Sequence, residues 1–305
     1  MPTTLQEKLR NRRFVITVEV TPPVSADRGE LLAKALPLKN LADAVNVTDG
    51  AGARPHLGAV TAAAILVEQG IEPVLQLTCR DRNRIALQSD LLSAAASGVH
   101  NLLMLRGDDT SAGDQPDAMP VFDLDPRSLL ETARRLRDKG ELPTGRKVAG
   151  RIDFFLGSAD NLVDPPPGWR PTSLQAKLDA GAQFVQTQFC MDAGMVRRYM
   201  AQLAGHGLTE KLAFLIGIVP LRSAKSARWI KEKLFGAVIP DALIERMERA
   251  KDPAAEGRQI CIDMVRELAE MPQIAGVHIM APGNDAAVPE IIKAARESVK
   301  RLASV

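Results

Sequence analysis

The feature that most restricts this chain is a regular alternation. Short apolar or β-branched runs are separated by longer segments with helical spacing, and the alternation repeats eight times along the sequence. The runs are 14–20, 44–47, 73–77, 101–105, 152–156, 184–188, 213–217 and 276–280. Helix-like segments lie between and after them, at 27–38, 57–68, 82–97, 128–139, 175–180, 194–204 and 286–302. Runs that are apolar on both faces suit parallel strands covered by helices. Eight such units in 305 residues is the count of a closed (β/α)8 TIM barrel. An open doubly wound sheet is the alternative, but no GxGxxG turn follows the first run and no linker divides the chain. Residues 239–271 read as two extra helices before the last strand. The whole chain, 1–305, is therefore expected to be one catalytic barrel domain, with no appended regulatory domain because it ends at Val305 soon after its last helix.

Charge and cysteine content narrow the partners. With 39 basic and 37 acidic residues, and neither sign in long blocks, the chain lacks the signature of a nucleic-acid arm or a polybasic membrane anchor. A small molecule is the expected partner. Three cysteines, Cys79, Cys190 and Cys261, are too far apart for a CxxC pair or a zinc ribbon, which points to a reducing compartment. The N-terminus has no apolar leader and no stretch reaches the length of a membrane helix, so the chain reads as soluble and cytoplasmic.

In a (β/α)8 barrel the chemistry gathers where strands end and the following loops begin. Glu19 ends an otherwise apolar run ahead of a stiff Pro22-Pro23 exit. Burial there would favour its protonated form and suit a general acid, or else the carboxylate is structural. Arg106-Gly107-Asp108 places a cation, a close-approach glycine and an anion after the fourth run, as a binding turn or as an internal ion pair. Lys177 could meet a phosphate or be a solvated helix lysine. Gln188 has the donor and acceptor needed for an amide-like heterocycle edge, or for an interior hydrogen bond. Gly157 and Ser158 belong to the polar end of the fifth run. His278 stands near the last strand end, yet the four histidines form no HExxH or ligand set, so no metal is predicted. No GxSxG elbow supports serine hydrolysis. The stretch Pro165 to Pro171 is a loop, either a lid over the mouth or a spacer.

These strand ends resemble those of the methylenetetrahydrofolate reductase family, catalytic barrel only. Glu19-Val20-Thr21-Pro22-Pro23 resembles its EFFPP, Asn46-Val47-Thr48-Asp49-Gly50-Ala51-Gly52 its VTYGAGG, Gln76-Leu77-Thr78-Cys79 its HLTC, and Leu105-Arg106-Gly107-Asp108 its LRGD. Asp179-Ala180-Gly181-Ala182 with Thr187-Gln188-Phe189 resembles the DAGA and TQFFFD segment, and Ile218-Val219-Pro220 the GIMP segment. The resemblance implies FAD-mediated reduction of 5,10-methylenetetrahydrofolate to 5-methyltetrahydrofolate with NADH or NADPH, in one-carbon and methionine metabolism. It makes Glu19 the acid that protonates N10, Asp108 the carboxylate beside flavin and pterin, and Gln188 a folate contact. It assigns the flavin to Thr48, Arg106, Gly107, Asp108 and Lys177, with Phe122 packing against it. Gln76 stands where the family has His, and Ala224 where many members have Phe. Leu156 to Asn161 replaces an AAYPE-like segment, so the family's flavin contacts there do not carry over directly; Gly157 and Ser158 in this stretch, with Gln76, are the candidate cofactor contacts. Homo-oligomerisation is implied by the family. The open alternatives are a flavin-independent or oxidative-direction variant, a partner-dependent folate-binding subunit, and an unrelated barrel such as a phosphosugar lyase.

Overall fold

A computed structural model describes residues 3–302. Its strands are β1 (Val15–Val20), β2 (Ala44–Val47), β3 (Pro73–Thr78), β4 (Asn101–Leu105), β5 (Phe155–Asp160), β6 (Phe184–Phe189), β7 (Ala213–Ile218) and β8 (Gly276–Ile279), joined in that order as a closed barrel. The helices are α1 (Thr4–Arg10), α2 (Arg28–Ala35), α3 (Ala59–Glu68), α4 (Arg84–Ala96), α5 (Pro126–Lys139), α6 (Thr172–Ala180), α7 (Ala193–Gly205), α8 (Ala224–Lys233), α9 (Asp241–Arg249), α10 (Pro253–Ala269) and α11 (Val288–Leu302). This is the expected TIM barrel, with α9 and α10 as the extra helices before β8. α1 and α8 were not foreseen. α8 starts at a capping box between Ser223 and Ser226, a weaker sequence signal than a Ser/Glu pair.

Contacts gather into two compact units. The long runs of the first are Glu19–Ala159 and Thr172–Phe184, and the second is built on Lys8–Val18, Asp160–Pro171 and the chain from Val185 onward.

In the first unit, β2, β3 and β4 are buried along nearly their whole length, which is why they read as continuous apolar runs rather than alternating ones. Parallel pairing sets Gln76 beside Leu103 and Leu103 beside Gly157. Helix starts follow their caps: Asp27 accepts from the Gly29 amide, Asn83 from Ile85 and Ala86, and Asp125 from Ser128. Below the strands, Glu72 accepts the amides of Thr4 and Leu5 at 2.9 Å each, and the Asn101 amide donates to Glu72 at 2.9 Å. A carboxylate from the start of β3 thus satisfies the opening turn of α1.

The fifth strand departs from expectation. Its apolar run starts at Ile152, but pairing begins at Phe155, whose amide donates to the His100 carbonyl at 2.9 Å. Phe155 stacks on Phe184 with centroids 4.9 Å apart. A Cβ on Gly157 would lie 2.2 Å from the Phe184 ring, so only glycine fits there. Gly157 and Ser158 are consequently buried inside β5, not at its end, and the strand ends at Asp160.

In the second unit the register sets Thr17 beside His278, and Gly217 beside His278 on the other side. Thr17 Oγ1 lies 3.0 Å from His278 Nδ1, and the Gln186 amide donates to Thr17 Oγ1 at 3.2 Å. All three are buried, and their mutual bonds are what allow polar groups there.

Candidate active site

The first unit carries most of the residues singled out above. Glu19 is the penultimate residue of β1 and half-buried. The loop after β2 is tied to the end of that strand, because the Thr48 amide donates to the Val20 carbonyl at 3.2 Å. Thr48 itself is buried, and among the described residues its hydroxyl has no hydrogen-bond partner. Native interiors rarely leave such a group unmatched, so Thr48 is available to a bound molecule.

Beside it, the Asp49 carboxylate accepts from Thr78 twice, from the amide at 2.8 Å and the hydroxyl at 2.9 Å, and also pairs with Arg82. Arg82 reaches on to Asp90 at 2.7 Å. Burial opposes the Arg82 charge, but the two carboxylates outweigh it and hold the guanidinium above its ordinary range. Gln76 is buried within β3.

After β4 the chain turns at Gly107, with φ at +94°. A Cβ there would come within 3.0 Å of Arg80 and 3.2 Å of Thr78, so the turn has room only for glycine. The three residues of the turn go different ways. Arg106 is exposed and lays its guanidinium carbon 4.4 Å from the centroid of Phe122, which itself has a left-handed φ of +44°. Asp108 accepts the Gly52 amide at 2.9 Å, joining the loops after β2 and β4.

Arg80 was not singled out in the sequence. Only 3% of it is exposed. Its guanidinium meets the Asp81 carboxylate at 2.6 and 2.7 Å, the Asp108 carbonyl at 3.1 Å and the Gly50 carbonyl at 3.2 Å. The Asp81 hydrogen bond is the main cause that holds its pKa above the ordinary arginine value.

At the end of β5, Lys177 from α6 donates to the Ala159 carbonyl at 2.7 Å, and Ser158 Oγ donates to the same oxygen at 3.3 Å. The ammonium that the sequence offered to a phosphate is thus held by backbone.

The second unit carries Gln188. Its carbonyl accepts the Phe189 amide at 3.0 Å and its amide donates to the Phe235 carbonyl at 3.4 Å. Tyr199 donates to Asp160 at 2.5 Å and packs against Trp169, with ring centroids 5.4 Å apart. Arg198 forks onto Asp164 at 2.8 and 2.9 Å. These contacts pin both ends of the proline-rich stretch. Among the described residues no helix is long and apolar enough to cross a membrane, and no group of three or more His, Cys, Asp and Glu could hold a metal ion.

Comparison with known proteins identifies the family of the chain. The Methylenetetrahydrofolate reductase family profile matches residues 4–296. A Caenorhabditis elegans protein named probable methylenetetrahydrofolate reductase (NADPH) is 28% identical over 240 residues, 76% of this chain and 33% of the relative. The 5,10-methylenetetrahydrofolate reductase of Pectobacterium carotovorum subsp. carotovorum is 25% identical over 267 residues, 84% of this chain and 82% of the relative. The chain thus spans about a third of the length of the nematode relative and most of the bacterial one. Among solved structures, a Clostridium thermocellum protein that binds two copies of 5-methyl-5,6,7,8-tetrahydrofolic acid has a TM-score of 0.65 at 14% identity, over 97% of this chain and 99% of that one. That likeness is one of fold. The profile match runs from α1 into α11, and on that extent the chain belongs to the methylenetetrahydrofolate reductase family.

Proposed function

We propose that this chain is the catalytic barrel of a methylenetetrahydrofolate reductase, reducing 5,10-methylenetetrahydrofolate to 5-methyltetrahydrofolate at the expense of NAD(P)H with FAD as the bound cofactor. The observation that carries the reading is the family match over residues 4–296. The folate-binding barrel from Clostridium thermocellum supports a folate as the ligand class.

The residues present fit a flavin in one specific respect: the buried Thr48 hydroxyl lacks a partner that a heterocycle could supply. The resemblance adds Arg106, Gly107, Phe122 and Asp108 from the segment after β4, and Lys177; Gln76 of β3 and Gly157 and Ser158 of β5 stand where the family has other residues and complete the proposed cofactor contacts. When bound, FAD carries hydride from the nicotinamide to the folate. The chain's own groups do the rest. Glu19, half-buried at the end of β1, gives its proton to N10, which opens the five-membered ring and leaves an electrophilic iminium carbon. The Asp108 carboxylate, aimed by the Gly52 amide, orients the pterin, and Gln188 recognises the amide edge of the folate by resemblance. The setting that goes with this reading is a cytoplasmic homo-oligomer supplying methyl groups for methionine.

A second reading is favoured by Lys177. Its ammonium is already on the Ala159 carbonyl, and Leu156 to Asn161, largely within β5, replaces the family's flavin-facing segment, as suits direct hydride transfer from NAD(P)H to folate without flavin. One experiment separates the two. If purified protein shows a flavin absorption band that bleaches anaerobically with NADH or NADPH and recovers on adding methylenetetrahydrofolate, the first reading stands. Nicotinamide oxidation that requires the folate, in protein with no flavin even after FAD is supplied, replaces it with the second.

A further inference from the structure

We infer that Arg80 is a positioning residue, whose guanidinium sets the loops after β2 and β4 so that the Asp108 carboxylate faces the reaction with its direction already fixed. The inference rests on the folate-reductase reading above.

A guanidinium buried this deeply costs several kcal/mol to desolvate unless its donors are matched. Here they are matched by main chain on both sides. Nη1 holds the Asp108 carbonyl and Nη2 the Gly50 carbonyl, while Asp81 neutralises the charge through Nε and Nη2. The backbone carbonyl of Arg80 also accepts the Val121 amide at 2.7 Å, next to the Phe122 that carries Arg106. One residue therefore ties three segments that bear proposed site residues.

The glycines around it are cut to the same shape. A Cβ on Gly50 would lie 2.5 Å from Arg80 Nη2, and one on Gly107 would lie 3.0 Å from Arg80 Cβ. With the Asp108 carbonyl on Arg80 and its carboxylate on the Gly52 amide, the side chain is held at both ends. Lysine cannot substitute, because a single ammonium lacks the planar fork that spans two carbonyls and a carboxylate at once.

The test uses full-length protein and a double-mutant cycle of Arg80→Lys with Asp108→Asn. In the wild-type background Arg80→Lys should lower kcat for folate reduction about tenfold with little change in KM. In the Asp108→Asn background the same change should cost no more than about twofold, because the group it positions is gone. Hydrogen exchange at the segments holding Gly52 and Asp108 should rise in Arg80→Lys. Arg246→Lys, which alters an exposed arginine that reaches Glu256 through Nε and Asp263 through Nη2, should leave kcat and exchange at those segments unchanged. If Arg80→Lys does not fold, Gly50→Ala, which keeps the arginine but crowds Nη2, must show the same non-additivity with Asp108→Asn. Losses that multiply in the double variant, or activity that falls only with the folded fraction, overturn the inference. A wild type that does not reduce the folate sinks the proposed reaction instead, and unchanged exchange at Gly52 and Asp108 then still refutes the clamp.

Discussion

The amide of Gly52 donates to the carboxylate of Asp108 at 2.9 Å, across two loops that are 56 residues apart in sequence. Asparagine at position 108 can still accept that hydrogen bond but carries no charge. Asp108→Asn should therefore leave stability nearly unchanged, while folate reduction falls roughly a hundredfold. Asp108→Ala loses the tie as well, yet should cost less than about 1 kcal/mol in urea unfolding because Gly52 is exposed and its amide can turn to water. A large stability loss in Asp108→Asn would make the carboxylate structural.

Glu19 tests the proton donor. Glu19→Gln keeps the shape and a hydrogen-bonding end but has no acidic proton. Folate reduction should drop by roughly a hundredfold to ten-thousandfold, with flavin reduction by the nicotinamide unaffected. Stopped-flow measurement of the two half-reactions decides it, and loss of both in a folded protein counts against the assignment.

Thr48 offers a prediction with opposite signs. Valine has the same shape without the unpaired hydroxyl, so Thr48→Val should stabilise the ligand-free protein by about 1 kcal/mol. If that hydroxyl meets the flavin, FAD affinity should fall about tenfold in the same variant. Urea unfolding and an FAD titration read the two effects, and an unchanged FAD affinity removes Thr48 from the cofactor site.

Gly157 makes a packing prediction. The missing Cβ faces the Phe184 ring, which is fully buried and stacked on Phe155. Gly157→Ala should cost about 1–3 kcal/mol or more by overpacking. Near-wild-type stability in urea would mean that β5 and β6 can separate.

The cysteines predict an alkaline limit. Burial pushes the Cys79 and Cys190 thiols up to about 11 and that of Cys261 up to about 12, from an ordinary 9.0. The folded values lie above the unfolded one, so stability is intact below pH 9.0 and is lost as pH rises towards 11 and 12. The urea midpoint should fall across that window, and replacing the three cysteines with alanine should flatten the fall.

How much of this was legible beforehand follows from what a sequence pattern encodes. Strand and helix periodicity reports which faces are apolar, and eight alternations were enough for the barrel and for the residues at its strand ends. Glu19 and Asp108 could be singled out because each is polar at the end of an apolar run, whereas Thr48 entered only through the family resemblance. Register is a different matter, because it depends on partners distant in the chain. Ile152 and Phe154 flank Asp153 in the alternation a strand start would show, yet β5 begins at Phe155, where the His100 carbonyl and the Phe184 ring are waiting. Arg80 is the clearest case. Beside Asp81 it reads as one more solvated charge, and only the folded chain surrounds it with the carbonyls of Gly50 and Asp108 and removes it from water. Local pattern determined which elements form and where polar groups interrupt them. Tertiary structure alone decided which of those groups meet, because hydrogen bonds and desolvation depend on neighbours that sequence distance does not reveal.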